Sequence, residues 1–136
     1  MKVISFIFLL ISLLLTACDP SDSRLKFVNR SSRPVIAEIS NDSINFKFNN
    51  VSYYKSNVVL KDSILVFHKM GSHHAMTDYI EHNPHKKLYL VIFSVDSINK
   101  YQNHSDLSNL FMKKKYLNLR GYSEQELIDN NWVILY

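Results

Sequence analysis

The run Leu88–Val95, LYLVIFSV, is interrupted by one small polar residue, Ser94. Eight residues is a strand length rather than a helix length, and a strand sends successive side chains to opposite faces. A run without polar alternation must therefore be covered on both faces, which predicts a central strand. The rest of the chain has to supply that cover. Leu25–Asn29 and Val35–Ser40 read as strands separated by a turn at Arg30–Pro34, and Ile44, Phe46 and Phe48 alternate with polar residues as a half-buried strand does. Val58–Leu60 and Ile64–His68 predict further short strands around Lys61-Asp62. Lys69–Lys86 contains Gly71, Pro84 and four histidines with little periodicity, and reads as a long loop with one helical turn around Met76–Ile80.

After the central run the period changes. Ser105 can cap a helix in which Leu107, Leu110 and Phe111 share a face. Tyr116–Arg120 reads as a short strand. Ser123-Glu124-Gln125-Glu126 is a capping box opening a short helix that ends at Asn130-Asn131, and Trp132–Tyr136 is a last strand. The expected class is α+β with β dominant: an antiparallel sheet or small sandwich with one or two short C-terminal helices.

The N-terminus follows another logic. Lys2 precedes an uncharged apolar stretch, Val3–Leu15, followed by the small residues Thr16-Ala17 and then Cys18, the only cysteine among 136 residues. This is the layout of a secretory signal peptide, and the stretch is short of the ~20 residues that span a bilayer. Leu15-Thr16-Ala17-Cys18 resembles the bacterial lipobox. That resemblance implies cleavage before Cys18, alkylation of its thiol with diacylglycerol and acylation of the new amine. Several acyl chains are what stable anchoring needs, since one alone binds membranes marginally. The alternative is an ordinary signal peptide with an incidental cysteine. The expected division is a leader over 1–17, a lipidated cysteine and polar tether over 18–24, and one globular domain over 25–136. An aspartate directly after the cysteine resembles an inner-membrane retention signal in enterobacteria and a surface-export signal in other phyla.

A wider resemblance rests on LYLVIFSVDSI and YLNLRGYSEQELIDNNWVILY in the C-terminal half, together with Phe27-Val28-Asn29-Arg30-Ser31. These segments, with Tyr122-Ser123-Glu124-Gln125-Glu126-Leu127 and Asn131-Trp132-Val133-Ile134-Leu135-Tyr136, resemble a group of small Bacteroidota-type lipoproteins. The resemblance implies an envelope location and an α+β fold, and it carries no catalytic residues.

Several chemistries are excluded by composition. The two glycines, Gly71 and Gly121, are too few for a GxGxxG and too far apart in sequence for a GxxxxGK[ST] or a GxSxG motif. One cysteine allows no intrachain disulfide and no multi-cysteine metal site. A formal charge of +4, part of it on Lys2, is mild, and Lys113-Lys114-Lys115 reads as a solvated helix end, so no nucleic-acid partner is expected. Glu124 and Glu126 belong to a helix start, where negative charge is favoured anyway.

Two constellations remain. His73, His74, His82 and His85 lie near Asp78 and Glu81, and imidazoles bind Zn or Cu well. Yet there is no HExxH, adjacent histidines diverge, and Pro84 disrupts a helix that would align the second pair. Asp-Ser-Ile occurs at 42–44, 62–64 and 96–98. Asp and Ser are turn residues, and the tripeptide also resembles the acceptor motif for O-glycosylation of exported Bacteroidota proteins, through Ser43, Ser63 and Ser97. Tyr53, Tyr54, Tyr116 and Tyr122 are candidates for a binding face, whereas Trp132 reads as core. The expectation is a non-enzymatic, membrane-anchored lipoprotein of the bacterial envelope, most simply on the outer membrane. It would bind an envelope protein or glycan without a cofactor. A histidine-based Zn or Cu protein and an envelope inhibitor or immunity protein are the alternatives.

Overall fold

The computed structural model describes residues 20–101 and 107–136. The leader, Cys18 and Ser105 lie outside them. The described chain is α+β and β-dominated, as the sequence predicts. Its strands are β1 (Ser21–Asp22), β2 (Lys26–Val28), β3 (Val35–Ser40), β4 (Ile64–Val66), β5 (Lys69–Met70), β6 (Lys87–Ser94), β7 (Asn118–Ser123) and β8 (Val133–Leu135). Short helices intervene: α1 (Val51–Ser56), α2 (Ala75–Glu81), α3 (Val95–Tyr101), α4 (Leu107–Met112) and α5 (Glu124–Asp129).

β6 is the central strand of an antiparallel sheet ordered β3-β6-β7. Its side chains divide as its composition demands. Leu88, Leu90 and Ile92 enter one core with Leu25, Phe27 and Ile134. Tyr89, Val91 and Phe93 face a second core with Ile36, Tyr54, Leu110 and Phe111. The first core is closed by the sheet β4-β2-β8, in which β2 pairs antiparallel with β4 and parallel with β8, and by Met76 and Ile80 of α2 and Leu127 of α5. The second is closed by α1, α3, α4 and the aromatic residues Phe46 and Phe48, which stack 5.3 Å apart. Burying both faces of one strand is what stabilises so short a domain.

Local chemistry sets the ends of elements. Ser123 accepts the Glu126 N–H while Glu126 accepts the Ser123 N–H, the capping box expected of α5. At the other end Asn131 N–H donates to Ile128 O and Trp132 N–H to Leu127 O, a Schellman closure with Asn131 at φ 52°. Asn29 is fully buried; its amide donates to Arg33 O and Val59 O while its oxygen accepts from Ser31. That network explains the Phe-x-Asn-x-Ser segment: it folds the turn and ties it to the β3 end.

Four sequence expectations are corrected. Ile44–Phe48 is not a strand: Phe46 is buried and Ile44 exposed, but the segment pairs with no other, because Asp42 and Asn45 bond locally. The supposed loop Lys69–Lys86 contains β5 and all of α2, whose Ala75, Met76 and Ile80 are buried. Asp96-Ser97-Ile98 is not a turn but part of α3, placing Ile98 in the second core. Finally, Ser21-Asp22 of the presumed tether is strand β1, paired with β5, and Asp22 is buried.

Candidate functional site

β3 and β4 are both edge strands, and the cavity between them is the best candidate for a site. Its walls are built by a diversion of the chain. Val59 exchanges both backbone hydrogen bonds with Val35, at 2.8 and 3.1 Å. Just before it, Asn57 terminates α1, so the chain leaves the β3 edge there. Ala37 and Ile39 point their backbone groups the same way as Val35, by the alternation of an antiparallel ladder, and meet no strand.

The opposite wall is similar. Ser63 O accepts from Asn29 and Phe67 N–H donates to Leu25 O, so these residues face β2. Ile64 and Val66 therefore face away from it. The cavity left between the two edges is about 290 Å³, lined by Ala37, Glu38, Ile39, Val66, Tyr54 and Tyr79 among others.

The side chains at its rim are electrostatically matched to a dry environment. Burial raises the Glu38 carboxyl above its ordinary value, although it accepts from Tyr54 Oη at 2.7 Å and from Ile39 N–H at 3.0 Å. Burial and the Glu38 charge both push the Tyr54 hydroxyl up, so it remains a donor. Lys69 lies 3.7 Å over the Tyr79 ring, and burial lowers its pKa. An adjoining cavity of about 340 Å³ adds Lys47 and Asn45 at this end. No carboxylate among the described residues forms an ion pair with Lys47 or Lys69.

Beside the cleft, the outer face of β4-β2-β8 is apolar. Val28, Ile64 and Leu135 stand side by side across three strands, and in the next row the half-buried Val66 and Val133 flank the exposed Lys26. Ile64 and Leu135 are 60% and 65% exposed.

A broader cavity of about 540 Å³ is lined by Asp22, Arg24, Lys26, His73 and Trp132. Its Asp22 and Arg24 side chains are already engaged with each other. The Arg24 side chain makes two hydrogen bonds to Asp22, donates to Thr77 and stacks 4.2 Å from the Trp132 ring.

The sequence candidates fall as follows. His73 and His74 precede α2; His82 ends it and bonds Asp78 O through Nδ1; His85 lies in the turn before β6. Among the described residues, no three His, Cys, Asp or Glu side chains group to hold a metal. Ser43 sits at a bend, Ser63 in the turn before β4 and Ser97 within α3, all half-buried. Tyr54 and Tyr122 are buried and Tyr53 is exposed. Trp132 is core, as expected. The cleft residues Glu38, Lys69 and Tyr79 were not singled out by sequence; the one available signal was Glu38, a charge on the otherwise apolar β3. No described helix is long and apolar enough to cross a membrane. No protein-family model matches the chain, and neither a curated protein nor a solved structure matches it.

Proposed function

We propose that this protein is a lipid-anchored module of the bacterial cell envelope that holds a protein partner and performs no catalysis. The anchor reading rests on Leu15-Thr16-Ala17-Cys18 behind an uncharged apolar leader and on its resemblance to lipoprotein leaders. The observation that carries the binding role is the apolar row Ile64, Val28 and Leu135 on the outer face of β4-β2-β8, in which Ile64 and Leu135 are exposed on either side of the buried Val28. Contiguous apolar surface on a small domain marks an interaction site more often than chance decoration.

Two measurements test the proposal. Intact mass should show acyl chains on the mature wild-type chain and none on Cys18→Ala, which should leave the membrane fraction. Photo-crosslinking residues at 64 and 135, in cells, should capture a defined envelope protein that the same residue at Met112, an exposed site on α4, does not capture. An unmodified wild-type cysteine removes the anchor; identical products from all three sites remove the interface.

A further inference from the structure

The cleft between β3 and β4 has a property that the apolar face lacks: it is bounded by two rows of unused main-chain groups. Val59 shows how the β3 edge is satisfied where a chain does run along it, by a reciprocal pair of hydrogen bonds at Val35. Beyond Val35 the same edge continues for Ala37 and Ile39 with no partner strand. Ile39 N–H is held by the Glu38 carboxylate, while among the described residues no hydrogen bond takes up the Ala37 N–H and C=O or the Ile39 C=O across the cleft. On the other wall Val66 is in the same condition. Unpaired strand edges that stay dry are costly, and natural proteins cover them or use them. Here α1 and Tyr79 cover the two ends and leave the middle open.

The spacing of the open groups along β3 is that of an extended chain. Ala37 to Ile39 presents outward-facing groups about 7 Å apart, the two-residue repeat of an extended chain. The charge is one-sided: Lys69 and Lys47 stand at one end without a carboxylate, while Glu38 is already committed to Tyr54 and Ile39. We propose that this slot receives an extended peptide segment as an added strand. The segment's main chain pairs with Ala37 and Ile39 on one side and Val66 on the other, and a carboxylate it carries is set against Lys69 and Lys47. The proposal rests on the reading of the domain as a protein-binding module, and specifies how part of the partner is held. It is strand addition in which backbone bonds supply affinity and the charged end supplies polarity.

The test uses the full lipidated chain in detergent micelles. The probes are acetylated pentapeptides of alternating valine and threonine ending in glutamate, followed by calorimetry and by NMR shifts of the Ala37 and Val66 amides. N-methylating the peptide at alternate residues should weaken binding at least about tenfold, since each lost backbone bond leaves a buried group unpaired. Ala37→Pro and Val66→Pro remove only cleft-facing N–H groups and should weaken it similarly. Proline is tolerated on an edge strand, and the N-methylated peptide keeps the question answerable if either variant fails to fold. Lys69→Met should weaken the glutamate peptide about fivefold and flatten its salt dependence. Equal binding of the plain and N-methylated peptides overturns the proposal, as does no binding at millimolar peptide. If the crosslinks at residues 64 and 135 persist in that case, the protein-binding reading survives and only the slot is lost. If those crosslinks are absent as well, both are lost.

Discussion

Asp22→Ala is the sharpest perturbation of the fold, because the sequence assigns Asp22 to a solvated tether and the structure assigns it to the scaffold. Its side chain is 0% exposed. One carboxylate oxygen accepts from Arg24 N–H and Nε; the other accepts from Arg24 Nη2 at 2.7 Å and from Met76 N–H at 3.0 Å in the first turn of α2. Losing the carboxylate strands the buried Met76 N–H, at about 1–2 kcal/mol for a lost helix cap. Arg24 is 36% exposed, so water replaces much of its pairing and the ion pair adds at most about 1 kcal/mol. The sum is about 1–3 kcal/mol, or roughly 5–12 °C in Tm for a domain of this size.

A pH series sharpens the test. Burial alone would raise the Asp22 carboxyl, but the hydrogen bonds from Arg24 and Met76 outweigh it and hold the group below its ordinary 3.8. A depressed carboxylate contributes stability that is complete above its unfolded value and is lost as pH falls through its folded value. Differential scanning calorimetry should therefore show a constant gap between wild type and Asp22→Ala from neutral pH to about 4, closing below that. A shift under about 2 °C, or a gap that widens on acidification, would refute the integration of β1 into the core.

Glu38 should behave in the opposite sense. Its carboxyl is raised by burial, so wild-type stability declines as pH climbs from the ordinary 4.5 through the folded value. Glu38→Gln should consequently be relatively more stable at pH 7–8 than at pH 4, read from paired thermal melts. Gly121→Ala places a methyl 2.9 Å from Tyr89 Cε1 and should cost about 1–3 kcal/mol in urea unfolding, a cost that a Tyr89→Ala background should largely remove. Ser123→Ala breaks the capping box of α5 and should cost about 1 kcal/mol by the same assay.

The central strand was legible because its composition left no freedom: LYLVIFSV without alternation has one solution, and both cores formed on it. The capping box at Ser123 was legible because its partners lie three residues apart. What escaped the sequence was decided by distant partners. Ile44, Phe46 and Phe48 alternate like a strand, yet Ile44 is exposed and Phe46 and Phe48 pack on aromatic rings from α4 and β6, so ring packing replaced pairing. Asp22 looks like any tether aspartate until Met76, far along the chain, turns its N–H toward it. α2 hid behind histidines that sit at its ends while Ala75, Met76 and Ile80 carry its apolar stripe. The cleft was invisible for a related reason: a missing neighbour strand leaves no mark on the residues whose backbone it would have paired.

β2 lies in register with β8, Lys26 beside Val133 and Val28 beside Leu135, and Tyr136 N–H reaches back to Val28 O. The first structural strand of this sheet therefore waits for the final one. Pairing the second edge of β2 joins the two ends of the described domain, a slow, high-separation closure. Losing the last four residues would therefore leave one edge of β2 unpaired and the domain open rather than merely shortened.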